Sequence, residues 1–380
     1  MKKTTHWTLG LAAAGLLGSA GVIQAQEAAA GANALAASTT LSGYISTSYR
    51  ADSGTGTSGY SKASASDRFS LDVVDLKFAS AQGQGEYSAG YTFELWVGPL
   101  ASSRPVSSTG NNNQTVAVEQ ANIDLHLPVG SGLDLKIGHF NTIVGYESDH
   151  HSTNPHFTQS WGLTIEPTHH TGMIGSYQVS DDLDIGLGAA NTAFGSAMNG
   201  AQASVGKKAG LAKLNYTLPD SLGFLGGKTI NFAYIKGGGQ NTPTAATSQP
   251  GNTATGKEHF YAGIRDIGLT DDLTLGLAYD LDKATDASTN DNWSLHTYLS
   301  YALNEKATLN FRYGTVDAPD VYYGNMSQGF VGDSYTTTLD YKLWENVVSR
   351  IEWRHDVSDG ITGAGSKDAD SIYLNLVYIF

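Results

Sequence analysis

From Leu41 onward, apolar and polar side chains alternate with period two in one segment after another. Leu273, Leu275, Leu277, Tyr279 and Leu281 are interleaved with Thr274, Gly276, Ala278 and Asp280. Ala307, Leu309, Phe311 and Tyr313 alternate with Thr308, Asn310 and Arg312, and Leu183, Ile185, Leu187 and Ala189 keep the same rhythm. In Leu295, Leu299, Tyr301 and Leu303 only Thr297 breaks it. Tyr335, Thr337, Leu339, Tyr341 and Leu343 repeat it again. Alternation of this kind places the two sets on opposite faces of a pleated strand. One face is greasy. The other carries Arg, Lys, Asp, Asn and Thr.

The pattern predicts sixteen strands, at 41–50, 69–81, 87–98, 115–127, 133–139, 171–179, 183–190, 209–218, 229–237, 259–268, 273–281, 293–303, 307–316, 334–343, 347–355 and 371–380. Connections after even-numbered strands are mostly short, as at 180–182, 304–306 and 344–346. Those after odd-numbered strands are mostly long and polar, as at 51–68, 99–114, 238–258 and 317–333. Short turns at one end and long loops at the other mark a transmembrane barrel. Proline has no N–H to give a ladder, and all nine prolines fall between the predicted strands. Tyr49, Tyr87, Tyr177, Tyr216, Tyr301, Tyr341, Trp353 and Tyr378 sit on the apolar parity, as a lipid–water girdle requires. The last strand runs Ile372, Leu374, Leu376, Tyr378, Phe380 and resembles the terminal signal read by the barrel-assembly machinery of bacterial outer membranes. The fold expected is all-β: a transmembrane antiparallel up-and-down β-barrel of about 16 strands, with long extracellular loops and short periplasmic turns.

Residues 1–25 read as an export signal: Lys2 and Lys3, an apolar stretch from Leu9 to Ile23, and the small-residue pattern Ile23-Gln24-Ala25 before Gln26. Residues 26–40 are Ala-rich and read as a flexible periplasmic lead-in, leaving 41–380 as the barrel domain. Lys and Arg number 22 against 36 Asp and Glu, and the two lysines of the signal lower the mature positive count further. That acidity argues against nucleic acid, which needs concentrated positive charge. There is no cysteine, so disulfides, thiolate metal sites and a Cys nucleophile are excluded. Beyond the signal, no apolar run is long enough for a transmembrane helix. The location expected is the outer membrane of a Gram-negative-type bacterium, with the lipids as surroundings.

A barrel of sixteen strands leaves an aqueous channel, and its inward face should be polar. Parity assigns Arg50, Glu94, Asp124, Lys136, Lys213, Arg265, Arg312, Lys342, Arg350, Glu352 and Arg354 to that face. Arg312, Lys342, Arg350 and Arg354 lie on neighbouring predicted strands, either as a positive wall or as paired lumen charges. The longest connection, Phe140 to His170, carries Tyr146, Glu147, Asp149, His150, His151, His156, Glu166, His169 and His170. A loop of this length is usually functional. It is expected to fold inward and narrow the channel, its acids facing the basic wall across a transverse field.

Within this stretch, Gly138-His139-Phe140, Gly145-Tyr146-Glu147, Asn154-Pro155 and His170-Thr171-Gly172 resemble the signature of the OmpL-like putative β-barrel porin family. The match is good over roughly residues 116 to 192 and elsewhere rests on strand pattern. His150 and His151 stand outside it. The resemblance implies an outer-membrane pore for small hydrophilic solutes, and no catalytic residues.

The five histidines of the long connection are candidates for a divalent metal. There is no HExxH and no i, i+4 pair, so a hydrated, partly protonated loop is expected, with no metal or cofactor. No Gly-x-Ser-x-Gly elbow marks a hydrolase and no P-loop is present. The expected function is passive diffusion of small hydrophilic solutes and ions through a water-filled barrel; the alternatives are an outer-membrane β-barrel hydrolase and a secreted soluble β-protein. A homotrimer is the common assembly for pores of this size.

Overall fold

A computed structural model describes residues 38–54, 67–83, 85–103, 115–193, 199, 208–237, 258–283, 290–318, 330–358 and 367–380. The expected signal and nearly all of the lead-in lie outside these residues, as do most of the four longest polar loops other than 142–168. The strands are β1 (Thr40–Gly54), β2 (Arg68–Ser80), β3 (Ser88–Val97), β4 (Val116–Leu127), β5 (Leu133–Asn141), β6 (His169–Ser180), β7 (Leu183–Ala190) and β8 (Ala209–Thr217). They continue with β9 (Thr229–Lys236), β10 (Glu258–Gly268), β11 (Leu273–Lys283), β12 (Asn292–Asn304), β13 (Ala307–Ala318), β14 (Phe330–Trp344), β15 (Val347–Ser358) and β16 (Lys367–Ile379). Each pairs antiparallel with its sequence neighbours, and β1 pairs with β16 to close the barrel. Reciprocal backbone bonds of 3.0 Å between Gly43 and Phe380 complete that seam.

Closure answers a solvation problem. Lipid offers backbone N–H and C=O groups no partner, so a sheet that crosses it must have no edge. Side chains then sort by parity. Phe93, Ile123, Leu277, Leu295, Ile351 and Leu374 are exposed on the outer face. Ser46, Ser294, Thr336, Arg350 and Ser371 are buried on the inner one. Outward aromatics form two belts. Tyr49, Phe69, Tyr234, Phe260, Tyr313, Tyr335 and Trp353 lie toward the long-loop ends of their strands. Tyr87, Tyr177, Tyr216, Tyr301, Tyr341, Trp344 and Tyr378 lie toward the short-turn ends. Within the upper belt, cross-strand rings meet, Tyr49 with Phe69 at 5.1 Å and Tyr313 with Tyr335 at 5.3 Å. Among the described residues no strand contains a proline.

The strands differ from the sequence expectation chiefly at their long-loop ends. β1, β14, β15 and β16 each extend by three or four residues there, through Asp52–Ser53, Val331–Asp333, Asp356–Ser358 and Lys367–Asp370. Ladder hydrogen bonding continues above the membrane, where the outer face no longer has to be apolar and the alternation fades. Alternation also slips at bulges. The ladder shifts register around Asp72 in β2, Glu119 in β4 and Asp266 in β10. A bulge turns its extra side chain to a face that parity would not assign.

An arginine on the lipid face near mid-membrane should cost about 2–4 kcal/mol. Leu374→Arg is therefore expected to lower the unfolding midpoint in vesicles, read by tryptophan fluorescence in denaturant. Asn231→Arg, on the inner face, should shift it far less.

Candidate functional site

The connection from β5 to β6, residues 142–168, folds into the barrel and packs against its inner wall. Small apolar clusters anchor it. Val144 and Tyr146 join Phe140, Ile174, Leu211, Ile235, Tyr261 and Tyr298; Trp161 and Ile165 join Val316; Phe157 meets Tyr373 at 5.5 Å. Tyr146 stacks on Tyr298 at 3.9 Å, and its hydroxyl occupies the place a Cβ would take at Gly276, so only glycine admits it. Gly145, just before it, has φ +108, a conformation open to glycine and strained for other residues. Asn154 clamps the tip of the loop: its side chain accepts from Ser148 N at 2.8 Å and donates back to the Ser148 carbonyl.

Charge decides where the loop lies. Arg312 of β13 is fully buried. Its Nη1 donates to Glu147 Oε1 at 2.6 Å and to the Thr158 carbonyl at 2.8 Å, and its Nη2 to Thr158 Oγ1 and Thr336 Oγ1. Glu352 of β15 accepts the backbone N–H of Phe157 at 2.7 Å and of Thr158 at 2.9 Å. Arg354 donates to the Gln159 carbonyl and to Asp356, with its guanidinium 5.3 Å from the Trp161 ring. Arg350 donates to the His151 carbonyl at 2.7 Å and to Asp340 at 2.8 Å. Every one of these charges has a partner, which is what allows it to be dry. The transverse field expected from sequence is therefore corrected: Glu147 touches Arg312 instead of facing it across water.

The hydrated state expected for the histidines is corrected as well. His151, His156, His169 and His170 are buried, because the loop lies against the wall, and His169 and His170 belong to β6. His156 Nδ1 meets Thr338 Oγ1 at 2.7 Å. Burial first, then the guanidiniums of Arg312, Arg350 and Arg354, hold its imidazole well below the usual histidine range. Glu166 is buried too, and burial followed by the nearby Asp280 raises its carboxyl well above the usual range. Burial pushes the Tyr146 hydroxyl up to about 12.

On the other side, over β4–β10, there is room. Two adjoining cavities of about 390 and 470 Å³ flank residues 141–145 and share Arg265. The larger is lined by Lys136, Lys213, Asn215, Asn231 and Tyr261. Lys136 pairs with Asp124 at 2.8 Å, and Lys213 with Asp184 at 3.3 Å. Arg265 is exposed, its guanidinium 4.2 Å from the Tyr146 ring. The remaining residues assigned by parity lie near the ends. Arg50 bonds Asp52 at 2.7 Å toward the long-loop end, and Lys342 is exposed toward the short-turn end.

Sequence reasoning missed several inward polar groups. Asp72 accepts Ser46 and Ser48 at 2.8 and 2.6 Å, and Glu119 meets His169 at 3.0 Å. Both sit at bulges, where counting by twos fails. Asp75, His259 and His296 lie on regular inward positions and were legible by parity alone.

The family described as "Putative beta-barrel porin-2, OmpL-like" matches residues 38–380. The chain belongs to this porin family. The fold of the porin is shared by solved structures of distant sequence. The anion-selective porin from Comamonas acidovorans has a TM-score of 0.59 at 10% identity, covering 90% of this chain and 99% of that one. The outer membrane channel DcaP of Acinetobacter baumannii has a TM-score of 0.56 at 13% identity, covering 90% and 97%. OprB of Pseudomonas putida has a TM-score of 0.56 at 13% identity, covering 93% and 97%. No curated protein matches the porin's sequence significantly.

Removing one partner of a buried ion pair costs about 3–5 kcal/mol. Glu147→Ala should accordingly release the loop, seen as faster chymotrypsin cleavage at Phe157 or Trp161 while the barrel stays intact. The pH dependence has a definite sign. Undocked, His156 takes a proton below roughly pH 6.5, whereas the docked side chain resists it. Its contribution to docking is thus complete above that pH and is lost as pH falls. Glu166, with a raised pKa, contributes in the opposite sense, so the comparison is made between variants. Acidification from about pH 7 to about 5 should increase opening fluctuations in planar bilayers more in the native protein than in His156→Gln.

Proposed function

We propose that this porin passes small hydrophilic solutes and ions by passive diffusion, along a route confined to the β4–β10 side of the lumen. The observation that carries the reading is the asymmetric docking of the loop. It is pinned to the β12–β16 wall by Arg312, Arg350, Glu352 and Arg354, while the polar cavities lie against β4–β10. Selectivity in such a pore comes from its width and lining charge. The pore-lining charges that count in this reading are Lys136, Lys213, Asp124 and Arg265. Two of the three cations are paired, so Arg265 sets the preference, toward anions. Arg312, Arg350, Glu352 and Arg354 position the loop, as do Tyr146, Glu147, His151 and His156 from its own side. A named anion-selective porin among the structural relatives makes such a preference physically reasonable for the fold.

The same reading places the protein in the outer membrane of a Gram-negative-type bacterium, after removal of residues 1–25. The aromatic-rich β16 suits recognition by the barrel-assembly machinery. A homotrimer is proposed on barrel size alone, and chemical cross-linking in native membranes tests it. We read the protein as a channel and not an enzyme; turnover of lipid or peptide by the purified barrel would count against this.

Planar-bilayer recording provides the test. The refolded protein should give discrete ohmic steps, and deleting residues 148–160 should raise conductance by about twofold or more. Arg265→Glu should move the reversal potential in a salt gradient toward cation preference. A silent inserted barrel, or an unchanged reversal potential, would contradict the reading.

A further inference from the structure

Away from the arginine wall, the loop turn at Asp149 and His150 meets a set of buried acids that the docking argument does not use. We propose that Asp75 of β2, Glu94 of β3 and His150 of the loop form a binding site for one divalent transition-metal ion of the zinc type, which fastens the loop to the barrel wall.

One ligand atom from each of the three residues lies within 4.8 Å of the others. Asp75 and Glu94 are 3% and 0% exposed, and among the described residues no lysine or arginine pairs with either. Asp75 Oδ1 has no hydrogen-bond partner. Glu94 Oε1 is in direct contact with His150 Nε2. Two neighbouring carboxylates out of water repel each other unless a proton or a cation lies between them. A divalent ion cancels both charges and supplies the partner that Oδ1 lacks.

The surroundings suit ligation. Ser148 Oγ lies 3.0 Å from His150 Nδ1; once an ion displaces the proton that Nε2 shares with Glu94, Nδ1–H donates to Ser148 and the Nε2 lone pair takes the ion. Gln120 Nε2 donates to Glu94 Oε2 at 2.7 Å, leaving Oε1 for the ion. Metal-binding histidines and carboxylates are commonly held by such outer contacts. Trp96 and Tyr44 meet the imidazole edge-on at 5.6 and 6.3 Å and fix its plane. One imidazole nitrogen with two carboxylates, and water completing the shell, fits zinc. Calcium takes six to eight oxygens, more than this set offers. The metal would join β2 and β3 to the loop on the side where Arg312 does not reach.

The test is calorimetric titration of the refolded full-length protein, stripped with EDTA, with zinc chloride. A saturable heat with one zinc per chain is expected. His150→Ala and Glu94→Gln should each weaken binding on the order of tenfold or more, while His126→Ala, an exposed histidine paired with Asp134, should leave it unchanged. Circular dichroism and bilayer conductance establish that each variant is folded. X-ray absorption at the zinc edge should show a mixed nitrogen and oxygen shell with imidazole scattering. Absence of saturable heat, equal binding in folded His150→Ala, loss of binding in His126→Ala, or a shell without imidazole would overturn the proposal.

Discussion

The constraint on which the rest depends is that lipid cannot hydrogen-bond a peptide group. Sixteen strands can cross it only as a closed ladder, and the β1–β16 seam satisfies the last open edge. Closure fixes a two-residue period, and that period hands every second side chain to lipid. The remaining half face a lumen too wide for strand side chains alone to fill. What occupies that lumen is then a question of charge and of a second piece of chain.

That second piece, residues 142–168, carries acids, backbone N–H groups and histidines to a wall already holding Arg312, Arg350 and Arg354. Such a wall is stable in water or against partners, and unstable bare in a dry interior. The loop supplies the partners: Glu147 for Arg312, carbonyls of His151 and Gln159 for Arg350 and Arg354, and two amides for Glu352. Docking displaces the open space to the opposite side. The position of the open cavities thus follows from where the arginines are, not from the barrel axis.

Much of the barrel was legible in the sequence because its physics is local. Leu273 to Leu281 reads as a strand with one greasy face, since lipid acts on each residue separately. The strand ends above the membrane were less legible, because at Val331–Asp333 and Asp356–Ser358 hydrogen bonding continues where the lipid no longer acts. The site was legible in part. Parity placed Arg312, Arg350, Glu352 and Arg354 on the inner face, and length marked the β5–β6 connection. Their contacts were not legible, since Arg312 and Glu147 are joined by topology and not by spacing. Asp72 and Glu119 escaped because a bulge shifts the count by one. The histidines escaped because a loop folded inward was expected to stay in lumen water, whereas it packs dry against the wall and buries them.

The account is tested most directly by reaction of single cysteines, which the cysteine-free chain makes clean. Cysteine replaces Lys213, Asn231, Thr336 or Thr338 in turn, and the folded protein in vesicles is exposed to a membrane-impermeant thiol reagent. Lys213→Cys and Asn231→Cys should react rapidly, while Thr336→Cys and Thr338→Cys, beneath the loop, should be protected. Rapid labelling at positions 336 and 338 with protection at 213 and 231 would contradict the account.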